Sequence, residues 1–245
     1  MSVPTSLGLA KKHILVTGAA GGIGLATVQL LASLGAKLTI TDIKPMDDIV
    51  SSLRAEKVEV ESFQADLSKP LELDESRLSD LYGVVALAGI FLTDDWMLDD
   101  EWEKTFDRVL NTNVVSMLRV LRVCMPILEK HGTGRVVLVG STSGRNGGSA
   151  RMTQPHYAVT RGGAHALTYN LAKRYGPKGI QVNCVAPGTI GTERNAKNFP
   201  PGHQFAAGRM GTAMEVAWPI AFLCSPHVSY MSGAILDVNG GSFMG

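Results

Sequence analysis

The sequence predicts a single α/β domain in which helices cover both faces of one parallel β-sheet. Short, uninterrupted apolar runs alternate along the chain with longer amphipathic stretches, a pattern typical of buried parallel strands joined by crossover helices. The chain has 245 residues, and neither an internal repeat nor a linker-like change in composition divides it. We therefore expect residues 1–245 to form one domain that is long enough to bury a sizeable core.

Seven apolar runs are predicted as strands, and six segments are predicted as helices. The strands are His13–Val16, Lys37–Thr41, Val58–Phe63, Val84–Ala88, Val136–Val139, Ile180–Val185 and Ile235–Val238. The helices are Ile23–Leu34 and the segments around 46–55, 100–110, 114–130, 156–175 and 213–224. Two long irregular stretches, Gly144–Pro155 and Thr189–Gly211, each follow a strand. Parallel strands share one carboxyl edge, so we expect both stretches at that edge, where such sheets bind ligands.

Charge and composition argue against several classes of protein. The 23 basic and 22 acidic residues nearly cancel and form no basic stripe, so we expect no nucleic-acid partner. No apolar run reaches about 18 residues and no signal peptide is evident, so we expect no membrane span and a cytoplasmic location. Three widely spaced cysteines form no metal-ligand pair, and we interpret them as buried free thiols in a reducing compartment.

A glycine-rich loop, Thr17-Gly18-Ala19-Ala20-Gly21-Gly22-Ile23-Gly24, joins the first predicted strand to the first predicted helix. Glycine lets the backbone turn sharply and lets a pyrophosphate approach closely, while the helix N-terminus offers free N–H groups. The order of strand, loop and helix therefore predicts a dinucleotide site. We expect Gly18, Gly22, Ile23 and Gly24 to form its phosphate-binding part.

Carboxylates at the ends of the next two strands are candidates for the adenosine end of that dinucleotide. Asp42 lies 18 residues after Gly24, where it could accept hydrogen bonds from both ribose hydroxyls and repel the extra phosphate of NADP. We therefore predict NAD over NADP, although Lys44 lies close by. Asp66, followed by Leu67, closes the third strand and could reach the adenine amine.

The spacing Gly18-x-x-x-Gly22-x-Gly24 resembles that of the short-chain dehydrogenase/reductase family, and further motifs of the family follow in its order over nearly the whole chain. They are Asn111-Thr112-Asn113-Val114, Val139-Gly140-Ser141, Tyr157-Ala158-Val159-Thr160-Arg161, Asn183-Cys184-Val185-Ala186-Pro187-Gly188 with Thr192, and the glycine-rich end of the last strand, Gly233–Gly241. The resemblance implies a seven-stranded Rossmann-like sheet, a nicotinamide cofactor, and a homotetramer or homodimer.

The family's functional residues map onto this chain motif by motif. The resemblance implies catalytic roles for Asn113, Ser141, Tyr157 and Arg161. It implies further cofactor contacts from Ala88, Gly89, Tyr157, Arg161, Pro187, Gly188, Ile190 and Thr192. In the family pattern, the backbone of Ile190 and the hydroxyl of Thr192 meet the nicotinamide amide, and residues 189–211 form a substrate loop.

The chain departs from the family pattern in three places. Ala86-Leu87-Ala88-Gly89 replaces the usual Asn-Asn-Ala-Gly, from which we expect a repacked strand end. Ser141 and Tyr157 are 16 residues apart, a few more than is common, which suggests an extended substrate loop. Arg161 stands where the Tyr-x-x-x-Lys motif has its lysine.

Tyr157 is the candidate that moves a proton between the enzyme and a substrate hydroxyl or carbonyl. A free tyrosine ionises only near pH 10, so it needs a neighbouring cation to act as a base. Arg161 is four residues further on and shares its helix face, but a guanidinium keeps its protons and is a poorer relay than an ammonium. Ser141 could hold the substrate oxygen, and Asn113 could position a water in a proton path.

The leading hypothesis is an NAD-dependent oxidoreductase that interconverts a secondary alcohol and a ketone of small or medium size. The alternatives are non-redox chemistry with bound NAD and an NAD-binding or scaffold protein, since Arg161 could have cost the protein its dehydrogenase turnover. The apolar helix from Val114 and the small residues of the helix from Tyr157 favour an interface between subunits.

Overall fold

The described structure, a computed structural model, covers residues 6–71, 73–149, 152–192 and 207–245. It contains one seven-stranded, all-parallel sheet, as the sequence predicted, with the strand order β3-β2-β1-β4-β5-β6-β7. The strands are β1 (His13–Thr17), β2 (Lys37–Asp42), β3 (Val60–Gln64), β4 (Leu81–Ala86), β5 (Gly134–Val139), β6 (Ile180–Pro187) and β7 (Ile235–Val238). Each of the predicted strands is present; β7 has the predicted bounds, and the other strands differ from the prediction at one or both ends.

Seven α-helices are assigned within the described ranges. They are α1 (Gly22–Ser33), α2 (Asp47–Ala55), α3 (Trp102–Leu110), α4 (Ser116–His131), α5 (Ser143–Asn146), α6 (Pro155–Tyr175) and α7 (Ala213–Cys224). The one-turn helix α5 was not predicted, because it falls within the stretch Gly144–Pro155 that we expected to be irregular. A π-helical turn, Asn111–Val115, joins α3 to α4.

The prediction for β4 was wrong at both ends. The strand begins at Leu81, which pairs with His13 of β1, and ends at Ala86. Leu87 and Ala88, predicted to continue the strand, donate their backbone N–H groups to the Thr17 hydroxyl at 3.0 and 3.1 Å. The Thr17 hydroxyl, at the end of β1, thus replaces the backbone hydrogen-bond partners that these two residues would have in the sheet. The chain leaves the sheet at this point.

Side chains of the strands alternate between two hydrophobic cores, one on each face of the sheet. In β1, Ile14 and Val16 pack into one core, and Leu15 packs into the other. The first core contains apolar residues of α1, α2 and α7, and the second contains those of α4 and α6. The sheet is therefore the middle of three layers, as expected for buried parallel strands.

The strand order reverses direction between β1 and β4, because the chain leaves β1 toward β3 and then returns to β4 on the other side. Loops that follow neighbouring strands diverge at such a point and leave a crevice at the carboxyl edge of the sheet. The glycine loop after β1 and the segment after β4 therefore face each other across that crevice.

Two observations concern partners and thiols. In the ranges that the structure describes, no helix is long and apolar enough to cross a membrane, and no cluster of His, Cys, Asp and Glu could hold a metal ion. Cys124, Cys184 and Cys224 are free and buried. Burial raises the pKa of each thiol to about 12, so all three are protonated at neutral pH.

A buried histidine organises the amino edge of the sheet, opposite the crevice. His13 Nδ1 lies 2.5 Å from Asp80 Oδ1, and its Nε2 lies 2.8 Å from Thr39 Oγ1. Lys37 Nζ pairs with Asp80 at 2.8 Å and with Glu59 at 3.1 Å. Burial lowers the pKa of His13 below its ordinary value, and the Asp80 carboxylate offsets only part of this effect.

We predict that this histidine makes the stability of the protein depend on pH. Because the pKa of His13 is lowered in the folded state, its contribution is complete above about pH 6.5 and is lost as the pH falls below that value. Urea unfolding between pH 8 and 5 should show this loss in the wild type and a flatter profile in His13→Gln. His227→Gln changes an exposed histidine and should keep the wild-type slope. Equal slopes in the wild type and His13→Gln would refute the prediction.

Candidate active site

A cleft of about 670 Å³ opens at the carboxyl edge of the sheet, and its lining comes from the segments that follow β1 to β6. Most of the predicted site residues line it, namely Gly18, Gly22, Ile23, Asp42, Asp66, Leu67, Ala88, Gly89, Ser141, Tyr157, Arg161, Pro187, Gly188, Ile190 and Thr192. Two predicted site residues, Gly24 and Asn113, lie outside the lining. Of the predicted substrate loop 189–211, residues 193–206 lie outside the described residues.

The glycine loop needs glycine at several positions for different reasons. Gly18 and Gly22 have φ values of +71° and +54°, a region that disfavours residues with a Cβ. Gly24 lies in the first turn of α1, where a Cβ would overlap the carbonyl oxygen of Gly18. Gly24 thus closes the loop against α1, and its predicted contact with the cofactor stays a prediction.

The N-terminus of α1 opens into the cleft. Its N-cap residue is Gly21, which has no side chain to accept from the first N–H groups of the helix. Gly21, Gly22 and Ile23 all line the cleft. Uncapped N–H groups at a helix N-terminus are a binding site for an anion such as a pyrophosphate.

Asp42 connects the end of β2 to the glycine loop. Its Oδ2 accepts from the backbone N–H of Ala20 at 2.9 Å, and its Oδ1 accepts from that of Lys44 at 3.0 Å. Each carboxylate oxygen keeps a second lone pair for a ribose hydroxyl. Lys44 also lines the cleft. Its positive charge therefore bears more strongly on the choice between NAD and NADP than its position in the sequence suggested.

The segment after β3 forms the far wall of the cleft. Asp66 Oδ1 accepts from the backbone N–H and the hydroxyl of Ser68 at 3.0 and 2.6 Å. These bonds, led by the Ser68 hydroxyl, lower the pKa of Asp66 below its usual value. Arg119 of α4 donates to the Leu67 carbonyl at 3.1 Å and holds this wall against the helix.

Asn113 occupies the π-helical turn between α3 and α4 and is fully buried. Its Oδ1 accepts from Ile90 N at 2.7 Å, and its Nδ2 donates to Ile90 O at 3.0 Å and to Thr160 Oγ1 at 3.2 Å. Thr160 in turn donates to the Tyr157 carbonyl at 2.9 Å. The Asn113 side chain thus ties the segment after β4 to the helix that carries Tyr157, and its role in positioning a water stays a prediction.

Ser141 and Tyr157 meet at the end of β5 and the start of α6. Ser141 Oγ accepts from the Ser143 backbone N–H at 3.1 Å, which leaves the hydroxyl proton to be donated into the cleft. Tyr157 is half-buried and lines the same part of the cleft. Tyr157 and Arg161 share a helix face, as their spacing predicted, and the Arg161 guanidinium carbon lies 5.0 Å from the centre of the Tyr157 ring.

Arg161 carries a buried positive charge, since only 6% of its surface is exposed. Its Nη1 donates to the Val139 carbonyl at 3.1 Å, and its Nε has no hydrogen-bond partner among the described residues. Within the same residues it forms no ion pair with a carboxylate. A Cβ on Gly89 would overlap its Nη2, so the glycine after β4 makes room for the guanidinium.

The long connection between Ser141 and Tyr157 is held by a salt bridge. Arg145 of α5 donates through Nη2 to Asp237 Oδ2 at 2.9 Å and to the Ile235 carbonyl at 3.3 Å, both in β7. The first part of this connection is therefore attached to the edge strand, and residues 150 and 151 lie outside the described residues.

Several lining residues were not among the predicted site residues. Phe91 packs against Tyr157. Arg108 of α3, Thr112 of the π-helical turn and Ser116 of α4 follow one another at intervals of four and also line the cleft. That spacing, which places side chains on one helix face, was the available signal. Phe91 lies two residues beyond the family's motif after β4, and a lone aromatic residue in a loop carries no motif.

Comparison with known proteins identifies relatives over nearly the whole chain. The family model described as enoyl-(acyl carrier protein) reductase matches residues 18–242. The 3-oxoacyl-[acyl-carrier-protein] reductase FabG of Pseudomonas aeruginosa is 35% identical over 97% of this chain and 100% of its own length. The acetoacetyl-CoA reductase of Synechocystis is 33% identical over 96% of this chain and 98% of its own length.

Solved structures with the same fold include proteins described as dehydrogenases. A protein from Agrobacterium tumefaciens, provisionally assigned as a 2-deoxy-d-gluconate 3-dehydrogenase and crystallised with NADP, is 26% identical with a TM-score of 0.87 over 97% of this chain and 98% of its own. A short-chain type dehydrogenase/reductase from Mycobacterium marinum, 24% identical with a TM-score of 0.90 over 98% of both chains, shares the fold.

The glycine loop offers a matched pair of substitutions. We predict that Gly24→Ala destabilises the protein by roughly 1–3 kcal/mol, because the added methyl group overlaps the Gly18 carbonyl. Gly21→Ala should leave stability nearly unchanged, because no atom of the described residues lies within 4 Å of the added methyl group. Thermal unfolding of both variants tests this prediction, and equal melting temperatures would contradict it.

Proposed function

The chain belongs to the short-chain dehydrogenase/reductase family, and we propose that it is an NAD-dependent oxidoreductase that interconverts a secondary alcohol and a ketone. Its relatives make it a short-chain dehydrogenase/reductase enzyme, and the identity of the cofactor and the substrate class are our proposals. The observation that carries them is the meeting of Ser141, Tyr157 and Arg161 in one cleft with an open helix N-terminus.

The residues of the cleft fit a dinucleotide. The glycines of the loop have no side chains, so a ligand can approach the backbone closely. The uncapped N–H groups at the N-terminus of α1 can bind a pyrophosphate. Asp42 and Asp66 present carboxylates toward the adenosine end, while Pro187, Gly188, Ile190 and Thr192 line the opposite part. When bound, a nicotinamide ring supplies or accepts the hydride.

The protein's own contribution is to position the reacting oxygen and move one proton. Ser141 donates its hydroxyl proton to the substrate oxygen and holds that oxygen beside Tyr157. Tyr157 takes the hydroxyl proton during oxidation and returns it during reduction. The buried charge of Arg161 lies 5.0 Å from the centre of the Tyr157 ring and has no carboxylate partner among the described residues.

We propose NAD as the cofactor because of the position of Asp42. A carboxylate beside the glycine loop accepts hydrogen bonds from ribose hydroxyls and repels a 2′-phosphate. Lys44 and the NADP in the Agrobacterium structure argue for the phosphorylated cofactor. The carboxylate takes precedence in our proposal, because it is held at the cleft wall by two backbone N–H groups.

We predict that Asp42→Asn narrows the preference for NAD over NADP by about tenfold, since removing one charge repulsion is worth roughly 1.4 kcal/mol. The amide oxygen can still accept from a backbone N–H group, so the loop should keep its shape. Steady-state kinetics with both cofactors measures the ratio of the kcat/KM values. A wild-type enzyme that prefers NADP would overturn the assignment of NAD.

We propose a homotetramer, with a homodimer as its smaller alternative. Large apolar side chains are exposed on α4 and α6, namely Leu118, Val159 and Tyr169. The helix α7 exposes Met214, Trp218 and Phe222 at intervals of four, beside the edge strand β7. Exposed apolar stripes on helices are typical of surfaces between subunits.

We also propose a cytoplasmic location. Three free, buried thiols suit a reducing compartment, where cysteines stay unpaired.

The reaction itself is tested by turnover with NAD and a panel of secondary alcohols, and with NADH and the matching ketones. We predict that Arg161→Lys turns over faster than the wild type by a factor of about 3–10, because a compact ammonium with rotatable N–H bonds is a better member of a proton path. Arg161→Met removes the charge and should lose at least a hundredfold in kcat, since general acid–base catalysis contributes about that much.

Binding measurements separate the possible failures. NADH fluorescence should report binding in the wild type and in both Arg161 variants. Binding without turnover in any of them would contradict the dehydrogenase function and leave the cofactor site intact. Absence of binding in the wild type would overturn the cofactor proposal itself.

A further inference from the structure

One wall of the cleft continues into a segment of unusual composition. Residues 91–103, which we call the acidic wall, contain six acidic residues and no basic residue. The same segment exposes four large apolar side chains, Trp96, Met97, Leu98 and Trp102. It runs from the end of the β4 loop into the first turn of α3, outside every motif that the family resemblance used.

The acidic wall touches the reactive tyrosine through its first residue. Phe91 lines the cleft, and its ring meets that of Tyr157 edge to face, with 4.7 Å between the centroids and an angle of 80°. Phe91 is held in place because Asn113 binds both the N–H and the carbonyl of Ile90. An aromatic side chain is therefore fixed beside the atom that we assign to proton transfer.

The remainder of the wall packs on the start of α6. The Trp96 backbone N–H donates to Gln154 Oε1 at 3.3 Å, and His156 hydrogen-bonds the backbone of Leu92. His156 is buried and directly precedes Tyr157. The acidic wall is thus attached to the residues on both sides of the N-terminus of the helix that carries Tyr157. Burial lowers the pKa of His156, and the nearby carboxylates of Asp94 and Asp99 offset part of this effect.

We propose that the acidic wall selects an uncharged substrate, an alcohol or ketone with an apolar group on its reacting carbon, and discriminates against anionic substrates. The proposal rests on the proposed function and deepens it by naming the substrate class. Phe91, which lines the cleft, supplies the apolar surface for the substituent. The carboxylates of Asp94, Asp95 and Asp100, which are exposed outside the cleft lining, repel a negative charge that approaches from solution.

The two effects act over different distances. Apolar contact with Phe91 requires the substituent to touch the ring, and it gains from the area removed from water. Repulsion from exposed carboxylates acts over about 10 Å at physiological salt and further at low salt. Coenzyme A thioesters carry several phosphates, so the wall opposes the kind of substrate named for the Synechocystis relative.

The charge effect is tested with a matched pair of substrates, methyl 4-oxopentanoate and 4-oxopentanoate, which share the keto end and differ in the charge of the carboxyl end. We expect kcat/KM to be higher for the ester at low ionic strength, with the gap narrowing as salt is added. Asp94→Asn combined with Asp95→Asn should raise kcat/KM for the anion by about threefold at low salt and leave the ester unchanged.

The control for this test removes two charges at the opposite edge of the sheet. Glu56→Gln combined with Glu75→Gln makes the same change in net charge, and both residues are exposed and lie outside the cleft. This variant should match the wild type with both substrates. An anion that reacts as fast as its ester at low salt, or an equal gain in the control, would overturn the role of charge.

The apolar effect is tested at Phe91 with acetophenone and butanone. We expect Phe91→Ala to lower kcat/KM for acetophenone about tenfold more than for butanone, mainly through KM. Phe91→Leu keeps an apolar surface and should recover most of the loss. Equal losses for both ketones would mean that Phe91 only positions Tyr157, which would overturn its role in selection.

These outcomes remain distinct from failure of the proposed function. If the enzyme reduces none of the four substrates but binds NADH, the dehydrogenase assignment fails. If it reduces them with no preference for the uncharged or the aryl substrate, the oxidoreductase function stands and the proposal for the acidic wall is wrong.

Discussion

The buried guanidinium of Arg161 is the constraint on which the arrangement of the cleft depends. A charge taken out of water without a carboxylate partner is costly, so the surrounding backbone must supply what water no longer does. The Val139 carbonyl at the end of β5 accepts from it, and Gly89 leaves it room. A Cβ on Gly144 would overlap the backbone carbonyl of Arg161, so this glycine lets α5 pack closely against α6. Two strand ends and two glycines are thereby fitted to one residue, and Tyr157 lies beside its charge.

Where strands end at the crevice, side chains accept hydrogen bonds from the backbone in place of the next strand residue, and these side chains also shape the cleft. Thr17 replaces the last rungs of the ladder between β1 and β4, and its hydroxyl turns Leu87 and Ala88 out of the sheet. At the end of β2, the Asp42 carboxylate likewise accepts a hydrogen bond from the backbone N–H of Ala20 in the glycine loop. Both are hydrogen-bonding groups at places where parallel pairing stops, and unpaired backbone groups there would otherwise be buried without a partner. The cleft is thus a direct product of how the sheet ends.

The sheet could be predicted because its strands are buried on both faces, which leaves continuous apolar runs in the sequence. The same signal failed at β4, where Leu87 and Ala88 are apolar for a different reason: they pack into the two cores after leaving the ladder. The resemblance to the family motif, which is local in sequence, identified Tyr157 and Arg161, and their spacing of four residues placed them on one helix face. The position of Phe91 in the site was not predicted, because its contact with Tyr157 joins segments 66 residues apart and has no local signature in the sequence.

The cleft divides into a part that the fold dictates and a part that it leaves free. Gly18 and Ser141 sit at strand ends, where backbone geometry fixes what the site can bind and where a proton can move. The acidic wall lies in the connection from β4 into the first turn of α3, and such surface connections tolerate changes of sequence better than the strands they join. Relatives named for acyl-carrier, coenzyme A and gluconate substrates share this fold. Chemistry at Tyr157 can stay constant while the charge and shape of the loop beside it change, so the substrate must be inferred from the wall and not from the fold.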